Sequence, residues 1–150
     1  MSAVLQINNG DLSRGMQKLL AIGARTKDFD FWFQKIAIET MIAKVYLEVL
    51  KKDKPISILT MIKNPGFILK HVLFAANKAE KHLKQIVSMG TAKDAIGLVA
   101  QANLELGILY KRRKRYDEAH RNLEEAIQIF DEIGAYAFLD QAKDELSGIP

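Results

Sequence analysis

The sequence predicts an all-α fold built from antiparallel helical hairpins. Three observations predict it: apolar residues recur three and four positions apart over most of the chain, glycine and proline interrupt that pattern sparingly, and a stretch of the pattern returns farther along. Strand-like alternation is nearly absent. The 150 residues, 49% hydrophobic and 27% charged, have the balance of a chain that buries a core, which excludes the disordered and collagen-like classes. One domain over residues 1–150 is expected, with an irregular first hairpin at 11–65 and more regular repeats at 66–149.

Helices are expected near 11–23, 28–52, 66–89, 92–113, 116–133 and 136–146, six or seven in all, since 54–65 has room for one more short turn. Pro55 and the Asn64-Pro65-Gly66 cluster stop regular helix in that segment. Thr91 with Asp94 three residues on has the form of a capping box and marks a helix start directly after Gly90. Ile22-Gly23-Ala24, Met89-Gly90-Thr91 and Ile133-Gly134-Ala135 share one punctuation, each read as a helix ending in glycine. Aligning Gly90 with Gly134 gives a period of 44, which lays Ala75 over Ala119, Ala79 over Leu123, Leu83 over Ile127 and Ile86 over Phe130. The longer interval from Gly23 to Gly90 makes the first repeat irregular.

In the second half, Leu106-Gly107-x-x-Tyr110 followed by Ala119-x-x-x-Leu123 and Ala126 resembles the tetratricopeptide repeat pattern. Glycine and alanine permit close approach of the two helices, and Tyr110 and Leu123 fill the space around that approach. Ile42-Ala43-x-x-Tyr46 is an earlier echo. The chain departs from the pattern where its tryptophan is Asn103, its phenylalanine is Leu123 and its closing proline is Asp131. The resemblance implies hairpins stacked in a right-handed α-solenoid, whose first helices line a concave surface for a peptide. On that register the peptide groove falls on Gln101, Leu104, Ile108, Lys111 and Arg112, and earlier on Lys44 and Leu47. Apolar at the centre and basic at one end, such a groove suits a segment with an apolar anchor and an acidic flank.

Residues 64–149, notably Phe74-Ala75-Ala76 through Gly90 and Gly134-Ala135 with Phe138-Leu139 and Ala142, resemble the C-terminal repeat region of bacterial class III adenylate/guanylate cyclases. The resemblance implies a multidomain signalling parent, with a cyclase domain first and an ATPase module after it, in which Met1-Ser2 begins an excised fragment. The partner would then be a protein or peptide segment, or another domain of the parent chain. No catalytic part of such a parent is expected here: there is no GxxxxGK[ST] loop to cradle phosphates and no sheet to carry metal-binding carboxylates.

Local chemistry points the same way. His71, His82 and His120 lack the spacing of a helical zinc site and read as core-edge or exposed histidines. The pairs Asp117-Glu118, Glu124-Glu125 and Asp131-Glu132 read as solvated helix faces, and Ser13, Ser57, Ser88 and Ser147 have no G-x-S-x-G context. No catalytic residue, metal or cofactor is expected, and the chain is not read as an enzyme. With no cysteine it has no disulfide or thiolate chemistry and is compatible with the reducing cytoplasm, where we expect it. It shows neither a signal peptide nor a run long enough for a membrane span.

The net charge of +4 comes from 22 basic and 18 acidic residues, with basic runs at Lys51, Lys52 and Lys54 and at 111–115. Both runs sit where helices are expected to end and the macrodipole attracts cations, so nucleic acid is disfavoured as a partner. A nucleic-acid-binding regulator using 111–115, or a small-molecule sensor with an apolar pocket near Trp32, are the alternatives. Phe29, Phe31, Trp32 and Phe33 cannot all face one side of a helix, so some meet a neighbouring element or a partner. An exposed apolar patch at an end would favour a homodimer.

Overall fold

The computed structural model describes residues 12–25, 32–50 and 74–150. Six helices lie among them: α1 (Leu12–Arg25), α2 (Trp32–Leu50), α3 (Ala75–Ala92), α4 (Ile96–Arg112), α5 (Tyr116–Glu132) and α6 (Tyr136–Ser147), with no strand. The fold is therefore all-α and made of helical hairpins. Phe29, Phe31, His71, the Lys51–Lys54 run and the 54–65 segment lie outside the described residues. The chain divides into two compact units, Met1–His82 and Leu83–Pro150, with the boundary inside α3.

In the first unit, Met16 and Leu19 form the buried stripe of α1. On α2 the stripe is Ile36, Glu39, Ile42, Ala43, Tyr46 and Leu47, spaced by three and four, with one carboxylate among apolar side chains. A buried carboxylate is costly unless it is paired. Here Glu39 Oε2 pairs with His82 Nδ1 of α3. The His82 ring in turn stacks on Tyr46, with centroids 5.9 Å apart and an interplanar angle of 16°, and Lys78 Nζ stands 5.6 Å from the Tyr46 centroid. Burial pushes the Tyr46 hydroxyl above its ordinary pKa. At the start of α2, Trp32 meets Phe33 edge-on, and Phe33 is largely exposed.

In the second unit one device is used three times. Asp94, Lys114 and Gly134 all adopt the left-handed backbone conformation, with φ of 55°, 58° and 69°. The following residue donates its N–H back across the helix end: Ala95 to the Gly90 carbonyl at 2.8 Å, and Arg115 to Tyr110 and Ala135 to Phe130 at 2.9 Å each. The left-handed residue makes a second bond, Asp94 to Thr91, Lys114 to Lys111 and Gly134 to Asp131. Together these satisfy carbonyls that a helix end otherwise orphans. The closing residue is also the N-cap of the next helix, so one helix becomes the next, reversed, within three residues.

The turns recur every 20 residues, so a hairpin repeats every 40. This corrects the period of 44. Gly90 and Gly134 are not equivalent: Gly90 lies buried inside α3, where a Cβ would meet Val99 Cγ2 at 2.8 Å, and Asp94 is the counterpart of Gly134. Gly23 likewise lies within α1. A register error of four residues is about one helical turn, which maps an apolar stripe onto itself and so still matches apolar to apolar. In true register Ala79, Leu83, Ile86 and Gly90 correspond to Ala119, Leu123, Ala126 and Phe130, and all eight are buried. The expected Thr91 cap is also corrected. Thr91 remains in α3, Asp94 forms the turn, and α4 begins at Ile96 after Ala95, which makes no side-chain cap.

Helix α4 is buried on nearly every side, through Val99, Ala100, Ala102, Asn103, Leu104, Leu106, Leu109 and Tyr110, and is the central element of its unit. α5 presents Ala119, Leu123, Ala126 and Phe130, and α6 presents Leu139 and Ala142. Phe130 stacks on Phe138 at 5.3 Å. Around these, Lys111 Nζ donates to the Glu145 carbonyl at 2.8 Å and to its Oε2 at 2.9 Å, a cation at the negative end of α6.

The left-handed turn sets a stability test. Around Gly134 a Cβ would meet nothing within 4 Å, so Gly134→Ala costs only its backbone strain. It should lose about 1 kcal/mol, or roughly 2–4 °C in Tm, while Lys114→Gly should gain a similar amount; thermal unfolding of both variants checks the pair.

Candidate functional site

The candidate site starts from two positions on one face of α4. At Gly107 the helices come together: a Cβ there would stand 2.5 Å from Leu123 Cγ, 2.7 Å from its Cδ2 and 3.3 Å from the Ala119 carbonyl. Leu106, Tyr110, Ala119, Leu123 and Ala126, the remaining motif residues, are all buried around this approach, none more than 2% exposed. One turn before it, Asn103 occupies the position where the tetratricopeptide pattern has tryptophan. It is 2% exposed, and its Nδ2 has no hydrogen-bond partner among the described residues. A buried amide left in this way costs about 1–3 kcal/mol.

Asn103, Leu106 and Tyr110 form the floor of an open cleft of about 530 Å³. Lys84, Val87 and Ser88 of α3 make one wall. The other comes from Arg115 and α5, through Glu118, Arg121, Asn122 and Glu125. The size is that of a ligand site, and the lining is mixed: apolar at Val87, Leu106 and the Tyr110 ring, charged at the rim. Two cations bracket Tyr110, Arg115 Cζ at 4.4 Å and Lys84 Nζ at 6.0 Å from its centroid. The first of these contacts joins the two residues whose backbones close the middle turn, so the cleft and the turn share Arg115.

Arg115 also donates from Nε and Nη2 to Glu118 Oε1, at 3.0 and 2.6 Å. These hydrogen bonds, with the backbone amide of Glu118 and the charges of Arg115 and Arg121, hold the Glu118 carboxyl below its ordinary pKa against the opposing effect of desolvation. Asn122 Nδ2 donates to the Glu118 carbonyl at 2.7 Å. The Arg115–Glu118 pair is thus internally neutral. Lys84, Arg121 and Glu125 complete the charged part of the rim.

The expected groove residues fall elsewhere. Leu104 is 3% exposed, packed with Leu123, Phe130, Leu139 and Ala142, and Ile108 leans on the same cluster. Leu47 is buried in the first unit. Lys111 is committed to Glu145. Gln101, Arg112 and Lys44 are exposed. The face of α4 that carries Leu104, Ile108 and Lys111 is therefore covered by α5 and α6 packing, and the face that borders the cleft is that of Asn103, Leu106 and Tyr110, themselves buried. The one signal in the sequence that marked this face was the asparagine in place of tryptophan.

The basic run is dispersed: Lys111 reaches α6, Arg115 lies over Tyr110, and Arg112, Arg113 and Lys114 are exposed. His82 is paired with Glu39, and His120 forms an exposed pair with Glu124 at 3.3 Å. Among the described residues no group of three His, Cys, Asp or Glu is placed to hold a metal ion, and no helix is long and apolar enough to cross a membrane. Comparison with family models, with curated proteins and with solved structures found no match to this chain.

Two tests follow from this geometry. Gly107→Ala should cost about 1–3 kcal/mol by pushing α4 from α5, and that cost should shrink in a Leu123→Ala background, which a double-mutant cycle by chemical denaturation measures. For Glu118, a depressed folded-state pKa means stability that is present above the unfolded carboxylate pKa and is lost as pH falls through the folded one. The Tm difference between the protein and Glu118→Gln should therefore be largest near neutrality and vanish in acid; a difference independent of pH would assign Glu118 no role through its charge.

Proposed function

We propose that this chain is a non-catalytic protein-interaction module, a tetratricopeptide-like array that holds a segment of another protein or of its own parent. The observation that carries this reading is the threefold turn: identical closures every 20 residues generate hairpins that stack, and stacked hairpins present extended surfaces rather than a closed reaction chamber. The repeat of 40 is longer than the roughly 34 residues of the standard tetratricopeptide unit, the excess lying in helices of 17 residues. Leu106-Gly107-x-x-Tyr110 with Ala119, Leu123 and Ala126 supplies the packing that the pattern requires.

On the strength of the sequence resemblance, the parent is a multidomain signalling protein of the class III cyclase kind, working in the cytoplasm. The module's part there is to bring a partner or a neighbouring domain to the cyclase. The dispersal of Lys111 and Arg115 onto Glu145, Tyr110 and Glu118 weakens the nucleic-acid alternative, because phosphate tracking needs cations on one continuous face.

Screening the purified chain against an array of short peptides should yield a discrete set of binders, enriched in acidic side chains and weakened by salt. Failure to bind any peptide, together with oligonucleotide binding whose log affinity falls steeply with log salt, would overturn the reading.

A further inference from the structure

We propose that copies of this chain associate head to tail, the acidic and apolar end of the second unit in one copy meeting the basic end of the second unit in the next. This goes beyond the interaction-module reading and uses residues that do not line the cleft. The turns set the two ends. Helices α4 and α5 are antiparallel and have 17 residues each, so the turns at Asp94 and Gly134 share one end of the unit and the turn at Lys114 stands at the other, about 25 Å away.

The first end is apolar at its centre. Ile133 lies over Gly97, where a Cβ would stand 3.8 Å from Ile133 Cδ1, and Ile96 and Tyr136 open the two helices that start there. Ile96, Ile133 and Tyr136 are 39%, 41% and 68% exposed, an apolar surface that folding leaves in water. At the same two turns Asp94, Asp131 and Glu132 stand exposed against Lys93, a surplus of two negative charges. The opposite end reverses the sign, with Arg112, Arg113 and Lys114 exposed. Among the described residues neither Arg112 nor Lys114, nor any of these three acids, makes an ion pair.

These charges select the occupant. Like ends repel, which disfavours a two-fold contact of either end with itself, whereas unlike ends of two copies attract. Long basic side chains also suit the apolar centre, because their methylene stems cover apolar surface and their cations sit on aromatic rings. The chain makes such contacts within itself, with Lys78 over Tyr46 and with Lys84 and Arg115 over Tyr110. Arg112 on the exposed Tyr136 ring of the next copy repeats that contact between chains. Each copy keeps one unmet end after the contact forms, so assembly is open-ended.

Sedimentation equilibrium of the full chain over a concentration series tests this. In low salt the weight-average mass should climb past that of a dimer, and high salt should weaken the association by about tenfold as exposed charges are screened. Two double variants each disable one end: Asp131→Asn with Glu132→Gln, and Arg112→Gln with Lys114→Gly. Each alone should associate about tenfold more weakly, the loss expected for two exposed charge pairs. An equimolar mixture, in which one intact acidic end meets one intact basic end, should form a dimer and stop there. Tyr136→Ala should weaken association of the native ends while leaving Tm unchanged, so the assignment does not depend on how either double variant folds. The proposal is overturned if the chain stays monomeric in low salt, if its mass stops at a dimer, if all three variants associate as the native chain does, or if the mixture fails to pair. Peptide binding by a chain that stays monomeric would refute this contact and leave the interaction module standing.

Discussion

The second unit depends on a backbone hydrogen bond that crosses each helix end. In three successive turns, the N–H of the residue that caps the next helix reaches back to a carbonyl of the preceding helix, and the residue before it takes a left-handed conformation to allow it. A helix end of this kind needs no side-chain cap, and none is made at Ala95, Arg115 or Ala135. Because the reversal occupies so few residues, each helix is delivered antiparallel to its predecessor, and helix length sets the repeat. Side chains then exploit the closure: Arg115 over Tyr110 seals the middle turn with a cation on a ring, and Ala135 packs into the core that contains Phe130.

Close helix approach follows from that delivery. Gly107 lets α4 meet α5 at Leu123, which brings Asn103, Leu106 and Tyr110 onto a face framed by α3 and α5. A bulky ring at 103 would fill this face. An asparagine leaves a cleft and an unspent donor, at a cost in stability that the densely packed Leu104, Phe130 and Leu139 cluster can absorb. Packing strength on one side of α4 thus permits a cleft on the other.

The first unit solves a related problem with a side-chain pair. Glu39 stands on the buried stripe of α2 and pairs with His82, which also stacks on Tyr46 beneath Lys78. Tyr46 and Tyr110 are alike in this respect: each is a buried ring at the end of a repeat-like motif, flanked by basic side chains.

Much of the local architecture was legible in the residues themselves. Spacing of apolar positions by three and four identifies each described helix, and Leu106, Gly107, Tyr110, Ala119 and Leu123 announce a tight hairpin, because only small residues permit the contact that large ones then surround. The repeat length was not legible, since a shift of one helical turn preserves the apolar stripe and a glycine at 90 looks like a helix end although it serves as a packing surface. Nor was the cleft-bordering face of α4. Leu104 and Asn103 are neighbours in sequence and both are buried, and which of them borders a cleft depends on where α5 and α6 come to rest. The sequence by itself determined the helices, their pairing and the absence of cysteine chemistry. Only the tertiary structure decided that the apolar side of α4 is covered, that Lys111 and Arg115 are spent on ion pairs, and that a buried asparagine floors the cleft, because burial is a property of neighbours brought together by folding.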